Sequence, residues 1–367
     1  MKNIRKLFTN PHIFFRDYLN KKYPIKNIEQ PYHEDEERTV INIEKKLNSV
    51  ITRNCLDKEN QNNVDIVFTW VNNSDKNWLE KYHKYNNGDV ISALYATDMA
   101  RFCNHNELFY SVNSVLRFLP WVNKIYIITD NQVPFWFKNH PKVKIIDHRE
   151  IIDDRFLPTF NSHVIEAFLY KIPDLSENFI YFNDDVFVAQ ELSKEHFFLQ
   201  NGIASIFLAD KSLKKMESKG KITATLSASK NSIFLLKKYY NINIDTPLVH
   251  TYIPLKRSAY ELAWSLYEEA ILAFLPNKFR NNNDINLANF LVPWLMYLEG
   301  KSVPRSDICY YFNIRSRNAP IQYKKLLNKK NLNESPHSFC ANDFNSISES
   351  IPDYQKQLIN MLNNYYD

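Results

Sequence analysis

Two adjacent carboxylates follow an apolar run and could bind a metal ion. Asp184 and Asp185 come directly after FIYF at 179–182, a run that predicts a buried strand. Ligands of open α/β sheets bind beyond the carboxyl ends of the strands, and Mg²⁺ prefers one or two carboxylates together with substrate phosphates. The pair therefore predicts a site for Mg²⁺ (or Mn²⁺). The alternative is that Asp184 caps the following turn and Asp185 is solvated.

Histidine and arginine side chains at three positions suit the transfer of a charged group. His250 begins the stretch HTYIPLKR, which is predicted to join a loop to a helix, and histidine titrates in the range that a general base needs. Arg101 and Arg280 carry guanidinium forks that can bind phosphate oxygens in a bidentate way. The alternatives are a surface or core histidine, a structural arginine at 101 and a surface salt bridge at 280.

Two further acids could serve either structure or chemistry. Glu107 begins a predicted helix over 107–119, where it would either complement the helix dipole or orient a base or hold a sugar. The sequence favours neither role. Asp65 lies inside the apolar stretch VDIVFTW, where an unpaired carboxylate is costly. We therefore expect Asp65 to have a partner, which would be a metal-bound water, an arginine or a uracil base.

Strands and helices that would position these residues alternate along the chain from Val64 onward. The predicted strands are 64–70, 124–129, 143–146, 179–182 and 204–208, and the predicted helices are 107–119, 162–172, 226–239, 258–274, 286–298 and 354–363. This alternation predicts an α/β, Rossmann-like fold with a mostly parallel sheet and a more helical C-terminal half. Residues 313–350, rich in Asn, Ser and Lys, are predicted to be irregular.

The composition excludes several kinds of site. The chain of 367 residues has four glycines, and no two are close together, so a Rossmann glycine fingerprint, a P-loop and a nucleophile elbow are absent. A bound nucleotide would be held mainly by side chains and helix ends. The four cysteines form no CxxC pair, which argues against a zinc ribbon and favours free thiols in a reducing compartment.

The amino terminus is basic and aromatic. Residues 1–27 carry seven basic residues against Asp17, a net charge of +6, whereas the whole chain carries +5. Interleaved aromatics suggest contact with an anionic membrane surface, although a terminal helix docked on the core fits equally well.

The predicted organisation is a basic amphipathic segment and linker (1–63), a catalytic domain (64–345) and a C-terminal helix (346–367). Without a spanning segment or signal sequence, a cytoplasmic protein is predicted, either free or peripheral on the inner membrane face.

Six stretches, taken in order, resemble the four characteristic regions of the Stealth proteins. They are DIVFTWVNNSD (65–75), RFCNHNELFYSVNSVLRFL (101–119), LPTFNSHVIE (157–166), FIYFNDDVF (179–187), HTYIPLKR (250–257) and FCAND (339–343). The resemblance covers most of the chain and implies a GT-A-like nucleotide-sugar fold. It also implies transfer of a hexose-1-phosphate from a UDP-sugar to a saccharide hydroxyl, usually with magnesium, with release of UMP.

The resemblance extends to individual site residues. It favours His250 as the base and implies that Asn342 and Asp343 complete the pocket. Asn161 would contact the nucleotide or the acceptor, or else would be a turn residue, and Asp284 follows Arg280 in a polar stretch that is a further substrate-binding candidate. Animal members of the family carry an acid where this chain has Asn104, so the role of that acid does not transfer.

The basic, Phe-rich start KLFTNPHIFFRDYL is similar to that of many Gram-negative capsule enzymes, which favours capsule synthesis with an acceptor that could be lipid-linked.

Three other functions compete with this interpretation. A metal-dependent glycosyltransferase would share the fold but would release UDP. A saccharide-binding scaffold fits the aromatic content but not the ordered motifs. Nucleic-acid binding is not expected, because the basic excess is terminal and no nucleic-acid motif is present.

Overall fold

The computed structural model describes residues 2–27, 63–86, 93, 95–220, 222–343 and 350–367. The strands are β1 (Val64–Thr69), β2 (Ile125–Thr129), β3 (Val143–Asp147), β4 (Asn178–Asn183), β5 (Val186–Val188), β6 (Ala204–Ile206), β7 (Ile253–Lys256), β8 (Ser302–Pro304), β9 (Cys309–Asn313) and β10 (Ser338–Asn342). The α-helices are α1 (Lys2–Thr9), α2 (Pro11–Lys22), α3 (Lys76–Tyr85), α4 (Glu107–Phe118), α5 (His148–Ile151), α6 (Ser162–Ala167), α7 (Lys194–Phe197), α8 (Leu213–Ser218), α9 (Ala224–Tyr240), α10 (Arg257–Phe274), α11 (Val292–Leu298), α12 (Ala319–Asn331) and α13 (Tyr354–Tyr366).

A five-stranded sheet with the order β3-β2-β1-β4-β7 forms the centre of the molecule. The first four strands are parallel, and β7 pairs antiparallel with β4. Strands β1 and β2 are almost continuously buried and mostly apolar, as expected where helices and loops cover both faces of a parallel sheet. The predicted α/β class with a mostly parallel sheet is confirmed. Thr69 of β1 pairs with Asn183 of β4, so these strands end side by side and present the residues that follow them at one edge.

A second, three-stranded sheet with the order β5-β10-β9 lies beside the first. Helices α12 and α13 pack on it and share a buried cluster that includes Phe187, Phe339, Leu326, Leu362 and Tyr365. The prediction of an irregular segment over 313–350 is therefore wrong for α12 and β10, while residues 344–349 lie outside the described part. The C-terminal helix is packed into the catalytic unit as part of this core.

Helices dominate the second half of the chain, as predicted. Helix α9 runs from Ala224 to Tyr240, and α10 runs from Arg257 to Phe274. The helix predicted over 286–298 begins with a π-helical turn, Leu287–Leu291, before α11. Short 3₁₀ turns lie at Met99–Phe102, Asp154–Phe156 and Leu169–Lys171.

The amino-terminal segment docks on the core. Ile13 is buried, and the Arg16 guanidinium lies 3.7 Å from the Tyr297 ring centroid. Gly300 allows this approach, because a Cβ there would lie 3.3 Å from His12 Nε2 and from Ile13 Cγ1. Asn27 is also buried and donates to the carbonyls of Leu208 and Arg305. Residues 28–62 lie outside the described part, and no helix of the described residues is long and apolar enough to cross a bilayer.

Candidate active site

A cavity of about 770 Å³ opens at the carboxyl ends of the parallel strands. It is bordered by Thr69 and Trp70 at the end of β1, by Asp130 after β2 and by Asn183 at the end of β4. The sequence-predicted site residues that line it are Arg101, Glu107, Asp184, Asp185, His250, Arg280, Asn342 and Asp343. Asn161, Asp284 and Asp65 do not line it. The structure thus brings together residues that are separated by more than 200 positions in the chain.

Three carboxylates meet on one side of this cavity. Asp184 and Asp185 form the turn between β4 and β5, and Glu107 begins α4 with only 6% of its surface exposed. Burial, and then repulsion from Asp185, raises the pKa of Asp184. Burial, and then repulsion from Asp184, raises the pKa of Glu107 well above its usual range. A cation placed among the three groups would relieve this repulsion.

The Asp185 carboxylate lies close to the side chains of Asn342, Cys340 and His250. Its Oδ2 accepts a hydrogen bond of 2.9 Å from Asn342 Nδ2 and one of 3.4 Å from Cys340 Sγ, and lies 3.8 Å from His250 Nε2. Burial alone would raise the pKa of Asp185, but hydrogen bonding and attraction from His250, with the bonds from Asn342 and Cys340, leave that pKa lowered. Asp185 Oδ1 is buried and accepts no hydrogen bond within the described residues.

The donor atoms around Asp185 fit a divalent cation. Ligand atoms of Asp185, His250 and Cys340 lie within 4.8 Å of one another. A buried carboxylate oxygen without a partner is costly, and coordination of a cation would satisfy it. Since oxygen ligands suit Mg²⁺, the carboxylates of Asp184 and Asp185 are the groups that would hold it.

His250 lies in the loop that leads into β7, with 36% of its side chain exposed. The predicted junction between a loop and a helix is therefore wrong, because the residues after it form a short strand and the helix begins only at Arg257. The side chain still borders the cavity. An imidazole that is partly exposed and close to a carboxylate can exchange a proton with a bound hydroxyl group.

Two guanidiniums line the cavity close to each other. Arg280 donates to the hydroxyl groups of Ser162 and Thr225. Burial, and then repulsion from Arg280, lowers the pKa of Arg101 well below its usual range, and burial also lowers the pKa of Arg280. Glu166 attracts both groups, yet neither arginine forms an ion pair with a carboxylate in the part of the chain that the structure describes. The pair is therefore suited to bind an anion.

Asp343 is fixed by residues that the sequence did not single out. His105 Nε2 lies 2.8 Å from Asp343 Oδ2, and the Arg315 guanidinium binds both oxygens of the same carboxylate. Attraction from these two groups outweighs burial and lowers the pKa of Asp343. His105 stands in the motif that also contains Arg101 and Glu107, so the motif could have indicated it. Arg315 lies in the segment predicted to be irregular and gave no such signal.

Asn161 and Asp284 lie beneath the cavity and hold its wall. Both are fully buried, and Asn161 Nδ2 donates to Asp284 Oδ2 at 2.9 Å. The same Asp284 oxygen accepts from the backbone N–H of Asn281 and lies 3.0 Å from His163 Nδ1. This network ties α6 to the loop that carries Arg280. Neither residue lines the cavity, so the structure gives no support to the predicted contact with substrate.

Asp65 lies at the opposite end of β1 from the cavity. Its carboxylate accepts hydrogen bonds from Asn123 Nδ2 and from the backbone N–H groups of Lys124 and Ser176. The expected partner therefore exists, but it is none of the three expected. These bonds link Asp65 of β1 to the two segments that lead into β2 and β4, at the amino ends of these strands.

Glu166 is a further cavity residue that the sequence motifs contained but that we did not select. Its carboxylate accepts from Tyr181 Oη at 3.2 Å and from Asn289 Nδ2 at 3.0 Å. His148, at the end of β3, also lines the cavity. Burial lowers the pKa of His148 to about 4, so its imidazole is neutral at physiological pH. Glu166 thus adds a hydrogen-bonded carboxylate to the cavity wall, and His148 adds a neutral imidazole.

An acidic pair, an imidazole and two guanidiniums surround one cavity of this α/β fold, an arrangement suited to an anionic ligand. The models of two Stealth families, conserved region 1 and conserved region 2, match residues 62–90 and 101–206. A capsular polysaccharide phosphotransferase of Actinobacillus suis is 63% identical over 100% of this chain and 98% of its own length. The chain belongs to the Stealth family of capsular polysaccharide phosphotransferases and is a transferase.

Two other similarities span the chain. The capsular polysaccharide phosphotransferase LcbA of Neisseria meningitidis is 59% identical over the full length of both chains (100% of each). Among solved structures, the galactosyltransferase LgtC, in complex with donor and acceptor sugar analogues, is 11% identical with a TM-score of 0.38, over 82% of this chain and 95% of that one.

Proposed function

We propose that this enzyme transfers a hexose-1-phosphate from a UDP-sugar to a saccharide hydroxyl group in the synthesis of a capsular polysaccharide. The product is a phosphodiester and the leaving group is UMP. The names of the similar proteins support phosphotransfer and capsule synthesis. The transferred group would be, for example, an N-acetylhexosamine-1-phosphate, and the charges of the cavity suit a nucleotide-sugar donor.

One observation carries this proposal: one cavity holds two guanidiniums that form no ion pair with a carboxylate of the described residues, together with three carboxylates that repel one another. A nucleotide sugar has the complementary charge pattern once a divalent cation accompanies it. Arg101 and Arg280 suit the diphosphate oxygens, since a guanidinium can bind two oxygens at once. The carboxylates suit the cation.

Asp184 and Asp185 would hold Mg²⁺ or Mn²⁺, which supplies positive charge to the phosphate oxygens when it is bound. His250 accepts the proton of the acceptor hydroxyl group as its oxygen attacks the phosphorus that bears the sugar. The bond that breaks joins this phosphorus to the bridging oxygen, which departs with UMP. The anomeric carbon keeps its bond to oxygen, so the configuration at that carbon is retained.

The other cavity residues orient the two substrates. Asn342 keeps the Asp185 carboxylate in place through a hydrogen bond of 2.9 Å, and Arg315 does the same for Asp343. Burial and repulsion from Asp184 raise the pKa of Glu107 well above its usual range, and a cation bound nearby would oppose this shift. Positioning and electrostatic stabilisation are the main sources of catalysis in phosphoryl transfer, because the protein need not form a covalent bond itself.

The acceptor is a saccharide chain that could be carried by a lipid, and we infer that the enzyme meets it in the cytoplasm at the inner face of the cell membrane. Support for this location is the basic and aromatic amino terminus.

The decisive experiment identifies the nucleotide that is released. Purified enzyme is incubated with Mg²⁺, a panel of UDP-sugars and short saccharide acceptors, and the nucleotide products are separated by mass. We expect UMP in equal amount to a product that contains a phosphodiester. Release of UDP with formation of a glycosidic bond would overturn the proposal in favour of a metal-dependent glycosyltransferase.

A further inference from the structure

Helix α2 presents an apolar face that the core does not cover. Its docking face contains Ile13, Arg16, Asp17 and Asn20, residues spaced by three and four positions. Turned away from the core are Phe15, Tyr18 and Leu19, which are 55%, 56% and 52% exposed. They too are spaced by three and four positions, and Lys22 completes the stripe. We call Phe15, Tyr18, Leu19 and Lys22 the outer face.

The outer face is continued by neighbouring aromatics. Phe8 of α1 is 80% exposed, and Tyr23, which follows α2, is 63% exposed. A soluble protein exposes single apolar side chains routinely, but a cluster of large ones on one short segment indicates an interaction surface. Phe14 meets the Phe15 ring edge-on, and more than half of the surface of each of Phe15, Tyr18 and Leu19 is exposed.

The charge of the same segment determines the kind of partner. Lys6 and Arg16 are paired with Asp17, and Lys26 lies 3.6 Å from Asp210. Lys21 and Lys22 are exposed and form no ion pair with any residue that the structure describes. Aromatic residues beside unpaired lysines suit an interface in which apolar groups enter acyl chains while cations meet phosphate groups.

We propose that the outer face of α2 docks on an anionic lipid bilayer. This inference rests on the proposed function for its use, since a lipid-carried acceptor would be met there, but lipid binding itself needs no substrate. The docking face packs α2 against Tyr297 and Gly300. The membrane contact is therefore part of the catalytic body and is not a flexible tail, and substitutions on the outer face should leave folding intact.

The test is a vesicle sedimentation assay with the full chain. Wild-type protein should bind vesicles of phosphatidylcholine with phosphatidylglycerol at least about 10-fold more strongly than vesicles of phosphatidylcholine alone, and high salt should weaken this binding. The variant F15S/Y18S/L19S should lose about 10-fold or more of the binding because it loses the apolar contact. The variant K21E/K22E should lose the preference for anionic lipid.

Matched substitutions on another surface provide the control. Ile321 and Leu332 are 69% and 62% exposed on or just after α12, so I321S/L332S should bind vesicles as the wild type does. Thermal melting and transfer to a soluble acceptor, measured without vesicles, should be unchanged in F15S/Y18S/L19S. The transfer measurement tests the proposed reaction without vesicles. It therefore separates failure of the membrane inference from failure of the proposed reaction.

Two results would overturn the inference. One is wild-type protein that does not sediment with anionic vesicles. The other is F15S/Y18S/L19S binding them as tightly as the wild type. If sedimentation velocity instead shows that the wild type forms dimers which the triple substitution dissociates, and vesicles are not bound, the outer face contacts a second copy of the chain and the membrane proposal is wrong.

Discussion

His250 combines partial exposure with a carboxylate neighbour, which is the setting that a general base requires. Replacing it with alanine should lower kcat by about 100-fold or more, since that is the usual contribution of a general base. The melting temperature should change little, because 36% of the side chain is exposed. Steady-state kinetics beside thermal melting would measure both effects.

The control for this substitution is His140→Ala, which removes an exposed histidine outside the cavity. Wild-type turnover in His250→Ala would contradict the assignment and would mean that another group takes the proton.

Removal of divalent cations tests the carboxylate pair. In EDTA the transfer rate should fall by about 100-fold or more, because a cation contributes several kcal/mol of charge stabilisation. Mg²⁺ or Mn²⁺ should restore it in the wild type but not in Asp185→Asn. Binding of Mn²⁺, followed by electron paramagnetic resonance, gives a readout that does not depend on activity.

Asp174→Asn is the matched control, since that carboxylate is 70% exposed and pairs only with surface lysines. Full activity of the wild type in chelator would exclude a catalytic metal at Asp184 and Asp185.

Single residues at this site were predictable where a short motif contained them. Asp184, Asp185 and His250 stand in stretches whose residue types indicate chemistry, and the cavity contains all three. Asp65 misled for a physical reason: a buried carboxylate needs partners, but backbone N–H groups satisfy it as well as a ligand does. Sequence alone does not reveal which end of a strand such a residue occupies relative to the site.

At the scale of elements, α13 belongs to the catalytic core. Leu362 is fully buried against the sheet β5-β10-β9. Replacing it with alanine should lower the free energy of unfolding by about 2–5 kcal/mol, the cost of an interior cavity. Chemical denaturation would measure this loss.

Leu332→Ala, at a position 62% exposed, should change the stability by less than about 0.5 kcal/mol. Equal, small effects at both positions would mean that α13 is dispensable and forms a separate appendage.

Elements with one apolar period were predictable, and elements defined by distant pairing were not. The buried runs of β1, β2 and β4 and the periodic helices α9 and α10 were found at nearly their observed bounds. Strand β10 was not predicted from the sequence because its five residues become a strand only through pairing with β5 and β9. Helix α12 was not predicted because its many lysines and asparagines leave only a weak apolar pattern. Its buried residues include Ala319, Tyr323 and Leu326.

For the whole molecule, a buried neutral histidine links stability to pH. Burial lowers the pKa of His148 to about 4, below its ordinary value of 6.5. Between these two pH values the unfolded chain binds more protons than the folded chain. The contribution of the buried imidazole to the free energy of unfolding is therefore fully present above about pH 6.5 and decreases as the pH falls toward 4. The loss from this one group is about 3 kcal/mol.

Urea denaturation across this range, in EDTA, should show a smaller slope with pH for His148→Gln than for the wild type. His140→Gln, at an exposed position, should follow the wild type. Parallel curves for wild type and His148→Gln would contradict a buried neutral imidazole.

The shared cavity also favours direct transfer between donor and acceptor over a mechanism with a covalent enzyme intermediate. Its volume of about 770 Å³ lies in the upper part of the range for small-molecule sites, and the guanidiniums and His250 border the same space. Donor and acceptor can therefore occupy it together, and transfer should be direct. Double-reciprocal plots at several acceptor concentrations should intersect, as for a sequential mechanism. Labelled UMP should not exchange into the donor when the acceptor is withheld, whereas parallel lines with rapid exchange would indicate a phosphorylated enzyme instead.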